Sequence, residues 1–196
     1  MTNIYMTGYG ESEAVPAHGR RSTSFRSTVE AAVSNAVGMS GDKFGMGSVG
    51  SRGHADTGIV FVTRTGERWP EVWWKLKDEG KSVTPTQFPG IVHNAAPGQI
   101  AIRYSLTGPH LAIVDGDALA LAMIQIRAGR AARMIVCGLE SPHNAVSLVI
   151  QSRRREGQRS CILADITHFA PSTSNGFRRL AYHYKELSDH FERSSE

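Results

Sequence analysis

The chain has 196 residues, 40% of them hydrophobic and 20% charged, which suffices for one domain with a real core and is cramped for two. A formal net charge of +4 and a sequence pI of about 9.3 mildly favour acidic partners, but no recognised nucleic-acid-binding module accompanies them. No basic segment leads into an apolar run at the N-terminus and no window is long enough to span a bilayer, so a cytoplasmic location is expected.

Ile4–Tyr9 reads as a short strand, stopped by Gly8 and Gly10. A loop, Glu11–Ser22, leads to a helix on which Phe25, Val29, Val33 and Val37 recur at helical spacing. Ser27 and Glu30 offer it a capping box, and Gly38 is placed to end it. Met39–Asp56 is rich in Gly and Ser and reads as a connection. Gly58–Thr63, GIVFVT, is an apolar and β-branched run, as in a strand buried on both faces. Glu67–Glu79 has helical spacing, with Trp69, Val72, Trp73 and Leu76 on one side; Pro85 and Pro89 keep Ser82–Pro89 extended or turned.

Asn94–Tyr104 is expected to be helical, with Pro97 in its first turn. Leu111–Val114 reads as a buried strand, and Asp117–Ala128 as a helix apolar almost all round, stopped by Gly129. Arg133–Cys137 is the next strand. Ala145–Gln151 and Ser160–Ile166, either side of the charged segment Ser152–Gln158, read as an antiparallel hairpin. After a polar loop near Pro171–Asn175, an amphipathic helix closes the chain, with Phe177, Leu180, Tyr184, Leu187 and Phe191 on one face. Strands alternating with helices imply an α/β sheet covered on both faces. The polar loop divides the chain into residues 1–168 and a small C-terminal unit, 169–196. Cys137 and Cys161 sit in apolar runs with neither metal-ligand nor disulfide spacing, so they read as buried free thiols, and no metal site or cofactor is expected.

The run from Thr84 to Glu140 carries more than secondary structure. It contains Pro85, then Asn94–Gly98 before a helix, then the Gly108–Pro109 turn into the strand Leu111–Val114. An elbow at Asp115–Ala118, the buried helix Leu119–Ala128 and the strand Arg133–Glu140 follow. In this order the pieces resemble the surroundings of the active site in β-ketoacyl synthases, and the resemblance extends over about Ile4 to Ile166. It implies a thiolase-like α/β fold, one half of the ketosynthase fold, with a mixed five-stranded sheet and helices on both faces.

Two departures from the family pattern bear on function. Where the family carries its nucleophilic cysteine, this chain carries Asp117, beside Asp115. A carboxylate is the weaker nucleophile and would give a mixed anhydride rather than a thioester. The family's two catalytic histidines lie in a C-terminal half that this sequence does not contain. The resemblance therefore implies a non-catalytic subunit, similar to the chain-length factors that also lose the cysteine yet pair with an active ketosynthase in polyketide, aryl-polyene or fatty-acid-type biosynthesis. By the same analogy, Gln87, Phe88, Ile91, Val92, His93, Asn94, Ile113 and Val114 would line the partner interface and the acyl tunnel. Arg153, Arg154, Arg155 and Arg159 could meet the phosphopantetheine or the acidic face of an acyl carrier protein. A half-size unit would leave surface uncovered, so the isolated chain is expected to be oligomeric or poorly soluble.

Plainer explanations stand beside each of these. Asp117 could simply cap the following helix, and the arginines could be a solvated hairpin tip. His93 reads as an interface residue, the Trp69–Trp74 cluster as packing, and His54 and His143 as surface positions. Two other functions fit the same residues. One is an enzyme acting on carrier-bound acyl chains, a hydrolase, cyclase or dehydratase, through Asp117 with Asp115 or His93. The other is a homodimeric acyl-binding scaffold.

Overall fold

A computed structural model describes residues 3–13, 25–41, 57–63, 77–81, 94–114, 116–141, 144–163 and 176–193. Its elements run β1 (Tyr5–Glu13), α1 (Phe25–Met39), β2 (Thr57–Thr63), α2 (Ala95–Tyr104), β3 (His110–Ile113), α3 (Ala118–Arg127), β4 (Arg133–Ser141), β5 (Asn144–Gln151), β6 (Cys161–Ile162) and α4 (Gly176–Arg193). The strands form one six-stranded sheet in the order β3-β2-β4-β5-β1-β6, one strand more than the five expected. β3, β2 and β4 run parallel; β5 is antiparallel to β4 and to β1, and β1 is antiparallel to β6. α1 and α2 pack on one face, α3 and α4 on the other, each pair over its own buried cluster.

All seven residues of β2 are buried, as its unbroken apolar run requires of a central parallel strand. Val60 and Val62 face α3 and α4, while Ile59 and Phe61 face α1 and α2. Leu106 and Tyr104 close the α2 side, where Ser34 and Tyr104 share a hydrogen bond at 2.8 Å and Arg103 pairs with Glu30 at 3.2 Å.

Several local expectations change. β1 runs through Gly8 and Gly10 to Glu13 instead of stopping at them. A Cβ at Gly8 would stand 2.1 Å from the Ala36 carbonyl oxygen, and one at Gly10 would stand 2.3 Å from that of Ala32. These glycines are inside the strand because α1 lies directly on it, its small Ala32 and Ala36 turned to the sheet. α1 begins at Phe25, which puts Ser27 within the helix instead of at its cap. It also passes through Gly38; the left-handed residue beyond its end is Gly41, at φ +66°.

The expected 145–151/160–166 hairpin does not form. β5 pairs instead with β4 and β1, and β6 adds to the far side of β1. An apolar strand buried along its length is stable in the middle of the sheet, and a two-residue strand belongs at the edge. β4 also extends beyond Cys137 to Ser141. Of the tryptophan-bearing helix expected over 67–79, only residues 77–79 are described.

α4 packs into the same cluster as α3. Phe177, Leu180, Leu187 and Phe191 are at most 3% exposed, each contributing roughly 1.5–3 kcal/mol of gross burial. β4 carries Gly138 beneath it: a Cβ there would meet Leu180 at 2.8 Å and Phe177 at 2.9 Å. The expected boundary at 168 falls outside the described residues.

Candidate functional site

The elbow lies at the carboxyl end of β3, where Val62 of β2 pairs with Ile113, the end of a parallel sheet at which α/β proteins place their sites. Gly116 has φ +108°, a conformation that L side chains rarely adopt, so this tight passage from strand to helix depends on glycine. Asp117 follows as the N-cap of α3, in extended conformation, and its Oδ1 accepts the Ala120 backbone N–H at 2.9 Å. An early amide of the helix is thereby satisfied, and the negative charge faces the positive end of the helix dipole.

The other Asp117 carboxylate oxygen, Oδ2, lies 3.8 Å from Nε2 of His183, which comes from α4. The His183 side chain is 1% exposed and that of Asp117 is 20% exposed. His183 Nδ1 is buried with no hydrogen-bond partner among the described residues. In a nucleophile–histidine–carboxylate relay the imidazole stands between the carboxylate and the reacting group. Here the order is reversed, with the carboxylate outermost and the imidazole behind it. The arrangement can cap a helix and set the Asp117 carboxylate against a buried imidazole under α4. Sequence reading missed His183, although its spacing from Leu180 and Leu187 puts it on the same buried helical face.

Neither thiol is set up as a nucleophile. Burial pushes Cys137, on β4 and facing α1 and α2, up to about 12, and Cys161, on β6, up to about 11. Among the described residues no group of three or more His, Cys, Asp or Glu side chains could hold a metal ion.

The predicted interface residues are only partly described. Gln87, Phe88, Ile91, Val92 and His93 lie outside the described residues, as do Asp115, His54, His143 and the Trp69–Trp74 cluster. Asn94 is exposed and stands at the N-cap of α2 without a side-chain cap; its carbonyl accepts the Gly98 N–H at 2.9 Å. Ile113 is half-buried against the α3 side, and Val114 is 48% exposed. β3 is an edge strand among the described strands, paired only with β2. Ile102 of α2, 79% exposed, borders a hollow of about 420 Å³ that it shares with Leu106, Thr107 and His110 at the start of β3.

The four arginines lie at the opposite end of the sheet, in the turn after β5. Arg153, Arg154 and Arg155 are exposed. Arg159 reaches α4: its guanidinium lies 4.9 Å over the Phe191 ring and donates to the Phe191 carbonyl at 3.4 Å. A cation is favourable at that helix end. Nearby, the Tyr9 hydroxyl donates to Glu192, and this bond, with burial, pushes the phenol up to about 12. A separate groove of about 920 Å³ runs beside α4 and carries Lys185 and Arg178 against Glu11, Asp189 and Glu192, so neither charge dominates it. No helix among the described residues is long and apolar enough to cross a membrane.

The geometry has close counterparts among solved structures. A type II PKS acyl-carrier protein in complex with its ketosynthase bound to the hexaketide matches with a TM-score of 0.61 at 14% identity, over 84% of this chain and 67% of that one. A β-ketoacyl synthase from Burkholderia phymatum STM815 matches with a TM-score of 0.56 at 13% identity, over 80% of this chain and 60% of that one. The ishigamide ketosynthase/chain length factor gives 0.54 at 14% identity, over 76% of this chain and 62% of that one. The chain thus spans only about three fifths to two thirds of the length of these relatives, and at such identities they establish the fold. No curated protein matches it in sequence. The family model of the β-ketoacyl synthase N-terminal domain matches residues 46–179, well over half of the chain. With its strand–elbow–helix order and its mixed sheet covered on both faces, the chain belongs to the β-ketoacyl synthase N-terminal domain family.

Proposed function

We propose that this chain is a non-catalytic, ketosynthase-like subunit that pairs with an active ketosynthase and shapes its acyl tunnel. The pair would work in polyketide, aryl-polyene or fatty-acid-type biosynthesis. One observation carries the reading: at the elbow where the family places its cysteine, the side chain is a carboxylate whose oxygen is engaged with the Ala120 amide. A carboxylate so held is both a poor acyl acceptor and a good helix cap.

Pairing is supported by the surface. α4 covers the sheet beside α3, so that face has its own partner helix. The β3 edge has none among the described strands, and Ile102 and Val114 leave apolar surface beside it. An uncovered edge with apolar flanks is a site for another chain. An acyl carrier protein would meet the assembly at the Arg153–Arg159 turn.

Co-expression with a ketosynthase that retains its cysteine and both histidines tests the pairing. The two chains should co-purify at fixed stoichiometry. Ile102→Glu with Val114→Glu should abolish this while leaving the subunit folded, since surface changes usually cost within about 0.5 kcal/mol. Purification of the unmodified chain as a monomer indifferent to every such ketosynthase would refute the proposal. Asp117→Asn in an intact complex distinguishes the enzymatic alternative, because only a chemical role would lose turnover with assembly unchanged.

A further inference from the structure

α3 is unevenly covered. Ala118, Leu119, Ala122, Met123, Gln125 and Ile126 are buried. Its outward side carries Ala120, Leu121, Ile124 and Ala128, of which Ile124 is 54% exposed, Ala128 is exposed and the other two are half-buried. α4 packs on the same face of the sheet but turns Arg178, Lys185, Glu186, Asp189 and His190 outward, as a solvent-facing helix does. On α3 the outward side is apolar along its length, with charge only at its two ends.

Those ends carry opposite signs. Asp117 caps the first turn with its side chain 20% exposed, and Arg127 in the last turn is exposed. A two-fold axis needs a patch complementary to itself. This one is, in an antiparallel register. α3 spans ten residues, about 15 Å. With the axis level with Ala122, Asp117 of one copy stands level with Arg127 of the other, Ile124 with Ala120, and Ala128 with Gly116. Each pairing matches: carboxylate to guanidinium, large to small, and small to small where the helix ends must approach. There is room at Gly116, where a Cβ would meet nothing nearer than Ile113 at 3.9 Å. Antiparallel axes also set the positive end of each helix dipole beside the negative end of the other.

We infer that the outward side of α3 is an interface between two copies of this chain, packed antiparallel about a two-fold axis. Ile124 sits over Ala120 of the second copy, and Arg127 pairs with its Asp117. Asp117 keeps its cap in the pair, because a carboxylate offers acceptor sites beyond the one given to Ala120. One short helix on each side is a small interface, so reversible dimerisation in the micromolar range is expected.

Sedimentation velocity of the full chain across the micromolar range tests this. The mass should pass from that of one chain to that of two as concentration rises. Ile124→Glu puts a charge in the middle of the patch and should raise the dissociation constant on the order of tenfold or more. Its circular dichroism should stay unchanged, since the side chain is exposed. Ile102→Glu, on the other face of the sheet, should leave the constant where it is. Salt should loosen the parent dimer and tighten that of Arg127→Glu, in which the end pair changes from attraction to repulsion. In a Cys161→Ser background, mild oxidation should cross-link the Ile124→Cys variant to the Ala120→Cys variant faster than to itself, because only the mixed pair lies level. A chain monomeric throughout overturns the inference, and so does a dimer that Ile124→Glu leaves intact. Preferential self-linking of Ile124→Cys overturns the register. If the chain alone is monomeric and Ile124→Glu abolishes co-purification with a ketosynthase, the ketosynthase covers this face and a second copy does not. Failure of ketosynthase pairing leaves the mass of the isolated chain as measured, so the two readings are scored apart.

Discussion

Replacing Asp117 gives the sharpest measure of what the elbow is for. Asp117→Ala removes the acceptor that holds the Ala120 amide at 2.9 Å, at the start of a ten-residue helix whose Leu119, Ala122, Met123 and Ile126 are buried. Losing an N-cap acceptor costs about 0.5–2 kcal/mol. The lost charge at the helix N-terminus adds about 0.3–1 kcal/mol, and Asp117, only 20% exposed, is little screened. A total near ~1.5 kcal/mol corresponds to a fall in Tm of roughly 3–6 °C for a chain of this size. Asp117→Asn keeps a capping oxygen and loses only the charge, so it should cost about 1 kcal/mol or less. The assay is urea and thermal unfolding of the two variants beside the parent, followed by assembly with a ketosynthase. Equal damage from Asn and Ala, or none from Ala, would refute the capping argument. Full stability and assembly in Asp117→Asn with loss of product would show that the carboxylate does chemistry.

Three further outcomes follow from the packing and the titrating groups. Gly10→Ala sets a Cβ 2.3 Å from the Ala32 carbonyl oxygen and 2.5 Å from the Ala36 nitrogen, so α1 must lift from β1; little soluble folded protein is expected. Gly138→Ala meets side-chain carbons of Leu180, Phe177 and Val62 first, and should cost about 1–3 kcal/mol by denaturant unfolding. Because burial raises both thiols, native alkylation by iodoacetamide should be slow at pH 8. Its rate at Cys161 should climb through about pH 11, with Cys137 reacting only after unfolding, as peptide mass spectrometry would show. Folding holds the Tyr9 phenol protonated, so its contribution is complete below pH 10 and lost as pH rises toward 12. Glu192→Gln should lower the midpoint of its ultraviolet titration.

The alternation of helix and strand, the buried run GIVFVT, the buried helix after Asp117 and the apolar face of α4 were all legible because each depends on periodicity within one segment. Asp117 as a cap was equally legible, since the residue and the amide it holds are three positions apart. The order of the strands was not. Whether β5 pairs with β6 or takes the centre between β4 and β1 is a competition among surfaces far apart in sequence, decided by which strand buries both faces. Gly8 and Gly10 read as stops because a glycine's local freedom is visible, whereas Ala32 and Ala36, whose backbone needs their missing side chains, lie more than 20 residues away. For the same reason only the tertiary structure brought His183 to Asp117, tied Gln158 to Ser40 and laid Arg159 on Phe191. Local chemistry determined which residues could cap, bury or carry charge, and long-range packing decided which of them met.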